Sequence, residues 1–119
     1  MTRDLRLRAA TVTDASTIVL VHEPVPFEQV VAGEPTTGHA LLDESDAREV
    51  GVWEMTPGAM RDTEADEVFV VLFGAATVEF EHPIADPIIL APGSVVRLEA
   101  GMRTIWTVRQ TLRKVYVSP

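Results

Sequence analysis

The chain contains no cysteine. Disulfide staples, thiolate metal centres and a cysteine nucleophile are therefore excluded. No apolar run approaches the roughly 20 residues that cross a bilayer. The first residues, MTRDLRLRAATVTDAST, carry no long apolar segment of the secretory kind. A cytoplasmic protein with no membrane partner is expected. Basic residues are in the minority, ten against eighteen acids, for a net charge of −8. They are scattered rather than striped, so no nucleic-acid partner is expected. Histidine is equally scarce, with only His22, His39 and His82. Helical periodicity is missing too: no segment repeats its apolar residues at 3.6-residue spacing over ten or more positions.

What remains is a chain of 119 residues, 46% of them hydrophobic, enough to bury one core without staples. Short runs rich in Val, Ile, Thr, Phe and Trp alternate with turn signals. The runs are Thr17–Val21, His39–Leu42, Val50–Thr56, Glu67–Phe73, Ala76–Glu81, Pro87–Leu90, Ser94–Glu99, Arg103–Val108 and Leu112–Val117. Between them lie Pro57-Gly58, Gly74, His82-Pro83 with Asp86-Pro87, Pro92-Gly93 and Ala100-Gly101. Many short strands at this spacing predict an all-β sandwich or barrel. We expect one domain spanning 1–119. Residues 1–45, looser and rich in Pro and Gly, form an arm or extra strands. Residues 46–119 form the barrel body.

Strand alternation assigns faces. Glu67, Phe69, Val71 and Phe73 share one, and Met102, Thr104, Trp106 and Val108 share another. The run from 67 to 73 is apolar on both sides apart from Glu67. It is expected to be buried on both faces, and a carboxylate there needs a partner.

Gly51-Val-Trp-Glu-Met-Thr-Pro-Gly58, Asp66-Glu67 with Gly74, Ala91-Pro-Gly-Ser94, Ile105-Trp-Thr-Val108 and Arg113-Lys-Val-Tyr-Val117 together resemble the cupin superfamily. The resemblance covers roughly residues 34–118. Its nearest branch is the small single-domain cupins similar to ethanolamine-utilisation and ureidoglycine aminohydrolase-like proteins. It implies a double-stranded β-helix, a jelly-roll-like barrel of two antiparallel sheets. It also implies a metal site, and here this chain departs from the pattern. Glu67 and Gly74 match the end of the first cupin motif. The two histidine positions before them fall on Arg61 and Thr63, or on Met60 and Asp62. In the second motif Gly93 and Gly101 match, but Thr104 stands at the histidine. Glu67 is the only metal-ligand position retained, so no cofactor is expected.

The candidate site is built around Glu67, which is also the best candidate for an acid or base. With no metal, Arg61 is the nearest cation by motif position and is expected to pair with it. Trp53, Phe69, Trp106 and Tyr116 supply core or pocket wall, Thr104 a hydroxyl, and Met102 the rim. Asp62, Glu64 and Asp66 have oxygens for calcium or magnesium, but lack a spaced loop pattern and read as a solvated acidic turn. His82 is expected exposed in a hairpin turn. Three roles remain open. One is a small-molecule-binding cupin with a degenerate metal site. The second is an enzyme, ureidoglycine aminohydrolase-like or sugar-acid-modifying, with an altered site. The third is an accessory protein whose interface matters more than its pocket. Exposed barrel edges make a homodimer the expected assembly.

Overall fold

The computed structural model describes residues 5–119; the first four residues of the expected arm lie outside them. The described chain is almost entirely β, with one short 3-10 turn at Phe27–Gln29. In order the strands are β1 (His22–Pro24), β2 (Val30–Ala32), β3 (Thr36–Ser45), β4 (Arg48–Met55), β5 (Gly58–Thr63), β6 (Glu67–His82), β7 (Ala85–Leu90), β8 (Val95–Leu98) and β9 (Arg103–Ser118).

Two long strands organise everything else. β6 and β9 run antiparallel along their whole lengths. The residues 112–118 of β9 pair with β4, and residues 103–108 pair with β5. Likewise the first half of β6 pairs with β8 and the second half with β7. The ladder therefore splits into two sheets. One runs β1-β3-β4-β9-β6-β8, and the other β2-β5-β9-β6-β7. This is the all-β, jelly-roll-like cupin architecture expected.

The bend between the sheets lies where the register of β6 against β9 shifts, at Val71–Phe73 and again between Phe73 and Ala76. Gly74 sits there at φ +101°, a value side chains with a Cβ rarely adopt. A Cβ on it would meet the Thr111 carbonyl at 2.2 Å. Gly74 is thus a bulge within one strand, not the turn its sequence suggests. The same bend takes Phe73 off the Glu67 face and places it beneath the Arg113 guanidinium, 5.4 Å from ring centre.

The main core fills the space between the sheets. Met55, Met60, Phe69, Val71, Val78, Leu90, Leu98, Trp106, Val108 and Leu112 pack there. A second cluster of Ile18, Leu20, Leu42 and Val52 lies beneath the N-terminal segment. In that segment Thr17–Val21 is not a strand. Its Ala15 and Ile18 carbonyls accept from Arg113 Nη1 instead, at 3.0 and 2.6 Å. Arg113 Nη2 also donates to Glu54 Oε2 at 3.0 Å, and His22 Nε2 lies 2.9 Å from the same oxygen. Burial alone would raise the Glu54 pKa; the hydrogen bonds and charges of His22 and Arg113 outweigh it and hold the carboxyl below its usual range. The expectation that β6 is buried on both faces also fails. Val68 is exposed, and Val70 and Leu72 are half-buried.

Candidate functional site

Register places the site's side chains in rows. His39 opposes Trp53, Trp53 opposes Lys114, and Lys114 opposes Val71 across four neighbouring strands. One step along, Gly51 opposes Tyr116 and Tyr116 opposes Phe69. From the other sheet, Met60 opposes Trp106 and Asp62 opposes Thr104. Glu64 extends this ladder past the end of β5: its N–H donates to the Met102 carbonyl at 2.8 Å and its own carbonyl accepts from Gly101 at 2.9 Å.

The rows converge on Lys114. Its ammonium donates to Glu67 Oε1. It also lies 4.5 Å from the ring centre of Phe69, 4.8 Å from Trp53 and 4.9 Å from Trp106. The Trp106 ring is 5.5 Å from Trp53 and 5.7 Å from Phe69, both tilted. Each of these contacts favours a cation: a carboxylate by charge, ring faces by quadrupole. Both ends of the pair are withdrawn from water, with side-chain exposures of 6% for Lys114 and 14% for Glu67.

A second polar group sits beside the first. Glu64, 8% exposed, accepts at Oε2 from the Thr104 hydroxyl at 2.6 Å and from Trp106 Nε1 at 2.9 Å. Asp62 follows on the same strand face. Burial, then the charge of Glu64, pushes its pKa up to about 6. Tyr116 is raised as well, by burial and by the charges of Glu49 and Glu67. Above these groups opens a cavity of about 260 Å³, lined by His39, Trp53, Asp62, Glu64, Glu67, Trp106, Lys114 and Tyr116.

The expected residues are distributed as follows. Trp53, Glu67, Trp106 and Tyr116 line the cavity. Phe69 and Thr104 lie beneath it, fully buried. Met102 packs on the core edge, its sulfur 3.4 Å from the Glu99 amide. Arg61 is not the partner of Glu67. It points outward from β5 and pairs with Glu81 at 3.4 Å, both half exposed. The reason is strand parity: residues 60, 62 and 64 face inward, so 61 cannot. The acidic turn is corrected on the same ground. Asp62 and Glu64 are inside, and only Asp66 stays exposed, accepting from the Ala100 amide at 2.9 Å. His22 belongs to the Glu54–Arg113 network, His82 is exposed at a hairpin end, and His39 stands at the cavity wall.

Lys114 is the residue that motif reasoning missed. A signal was present. In the run Leu112–Val117, positions 112, 114 and 116 share a face with Leu and Tyr on either side of a lone lysine. The donor set does not fit a transition metal. Glu67 is engaged by an ammonium, and Thr104 donates to Glu64. Among the described residues no cluster of three or more His, Cys, Asp or Glu is arranged to hold an ion. No helix among them is long and apolar enough to cross a membrane.

Comparison with known proteins agrees with the architecture. The EutQ-like cupin domain model matches residues 42–116. The EutQ protein of Clostridium difficile superposes with a TM-score of 0.61 at 18% identity, covering 70% of this chain and 67% of that one. A cupin superfamily protein from Desulfitobacterium hafniense covers 99% of this chain and 97% of its own, with TM-score 0.65 and 13% identity. A protein of unknown function from Pseudomonas syringae pv. tomato reaches TM-score 0.73 at 21% identity, covering 87% of this chain and 45% of that one. At these identities the likeness is one of fold. No curated protein matches the sequence.

Proposed function

Since the chain belongs to the EutQ-like cupin family, we propose that it binds a small polar metabolite in the mouth of its barrel, at a degenerate metal site balanced by a lysine. One observation carries this reading. The Lys114 ammonium, bonded to Glu67 and boxed by Trp53, Phe69 and Trp106, stands at the floor of an open cavity. Binding pockets combine apolar walls with a few fixed polar groups, and a cavity near 260 Å³ suits a metabolite smaller than a drug. Lys114 supplies charge balance without a metal. The ring faces hold it in one place, so a ligand meets a preorganised surface.

Native mass spectrometry with elemental analysis of the purified protein tests this. A metal-free protein that retains or takes up a small organic molecule is expected, with uptake lost on Trp53→Ala. A stoichiometric transition metal, or ligand uptake indifferent to Trp53→Ala, overturns it.

A second reading rests on Asp62, whose pKa of about 6 suits a group that transfers protons near neutrality. In that case the protein is a small-metabolite enzyme, with Asp62 as acid or base and Glu67 held by Lys114. Asp62→Asn then abolishes turnover, and unchanged turnover in that variant refutes this reading. The assembly we propose is a homodimer, since Val19, Val21 and Phe27 are largely exposed beside the short outer strands β1 and β2. Sedimentation at micromolar concentration checks it, and a strict monomer refutes it.

A further inference from the structure

The cavity is unbalanced in charge. Three carboxylates, Asp62, Glu64 and Glu67, face one ammonium, Lys114. The ammonium is spent on Glu67. Glu64 receives only neutral donors, the Thr104 hydroxyl and the Trp106 indole, and both go to the same oxygen, Oε2. Among the described residues Asp62 forms no ion pair, although the Lys114 charge reaches it. Asp62 also borders a neighbouring groove with Arg61, Arg103 and Glu81, but there Arg61 pairs with Glu81. Two carboxylates therefore line the cavity together with the Lys114–Glu67 pair, at half-buried to buried positions where water screens them poorly.

We propose that the ligand is a small organic cation, an ammonium compound with a short apolar body. This rests on the reading of the cavity as a binding site. The cationic head lies between Asp62 and Glu64. The apolar body rests against Trp53 and Tyr116, which line the same cavity. Their rings add attraction to any positive charge that reaches their faces. An anion gains nothing comparable. It would have to take Lys114 from Glu67 and lie against two further carboxylates. A neutral polyol has acceptors to bond but leaves the charge uncompensated.

The test uses the two tryptophans as reporters. Trp106 Nε1 donates directly to Glu64, so its indole signal in a ¹⁵N–¹H spectrum responds to whatever binds that carboxylate. The full-length protein is titrated at matched ionic strength with n-butylammonium chloride, sodium butyrate and 1-butanol. Saturable movement of the Trp106 indole signal by butylammonium is expected, with the other two at least about tenfold weaker. Asp62→Asn and Glu64→Gln each weaken butylammonium by about tenfold or more while overall spectral dispersion is kept. Gln retains an acceptor for Thr104 and Trp106, so this variant tests charge rather than packing. Saturable binding of butyrate or butanol as tight as butylammonium overturns the cation and leaves the binding pocket standing. Silence of both indoles toward all three probes overturns the two readings together. Butylammonium binding unchanged in both variants overturns the assignment of Asp62 and Glu64.

Discussion

Lysine 114 is the side chain whose removal should cost most. In Lys114→Met the aliphatic stem is kept and the charge is lost. Glu67, 14% exposed at its side chain, is left without its cation. Stranding one member of a buried pair costs roughly 3–5 kcal/mol. A ceiling follows from proton chemistry, because a stranded carboxylate can always take up a proton. At pH 7, about 2.7 units above an ordinary glutamate pKa, that costs about 3.7 kcal/mol; at pH 5 it costs about 1 kcal/mol. The variant should therefore lose about 3 kcal/mol at pH 7 and about 1 kcal/mol at pH 5. For a domain of this length the first figure corresponds to roughly 12 °C in Tm. The sign follows from linkage: in the variant the folded state binds the extra proton, so its deficit grows as pH rises. Urea unfolding of wild type and variant at both pH values measures it. Lys114→Met/Glu67→Gln removes both charges and should return to within about 1 kcal/mol of wild type. A deficit below about 1 kcal/mol at pH 7, or the same deficit at both pH values, would refute the buried-pair reasoning.

Three more predictions test other parts of the fold. Asp62 has its pKa raised from 3.8 to about 6, so the folded state holds an extra proton between those values and stability falls as pH rises through that window. Asp62→Asn removes this penalty; it should be about 1 kcal/mol more stable than wild type at pH 8, allowing for solvent screening, and equal to it below pH 4, as read from denaturant midpoints. Arg113→Met leaves Glu54 with His22 alone and frees the Ala15 and Ile18 carbonyls. A loss of about 3 kcal/mol and new proteolytic cleavage between residues 14 and 20 are expected; resistance of that segment to protease would contradict its tethering by Arg113. Two glycine substitutions should separate. A Cβ on Gly51 meets the Tyr116 hydroxyl at 2.3 Å, the end of a side chain that can swing away, whereas a Cβ on Gly74 meets backbone at a positive φ. Gly51→Ala should fold, with a cost of about 1–2 kcal/mol and a displaced Tyr116 ring, while Gly74→Ala should yield little folded protein. Equal Tm values for the two would count against the bulge.

Much of the architecture was legible in the residues. Turn signals separated β4 from β5, β7 from β8 and β8 from β9, although Gly74 and Asp86-Pro87 fall within strands, and the cupin signatures identified the barrel. The sequence alone also showed Glu67 as the single charge on an apolar strand run, because composition and strand alternation are local properties. Trp53, Trp106 and Tyr116 were recoverable as walls for the same reason. The identity of the partner of Glu67 was not local. Motif alignment selected Arg61, yet one residue of strand parity turns it to solvent and brings Asp62 and Glu64 inward. Lys114 lies 47 residues from Glu67 in sequence, and only the pairing of β9 with both β4 and β6 brings them together. The bulge at Gly74 acts similarly, since a positive-φ glycine reads alike in a turn and in a bend of a continuous strand. Strand alternation and the scarcity of histidine belong to the sequence. Which cation meets which carboxylate was decided by register across strands distant in sequence, because charges pair by distance in space.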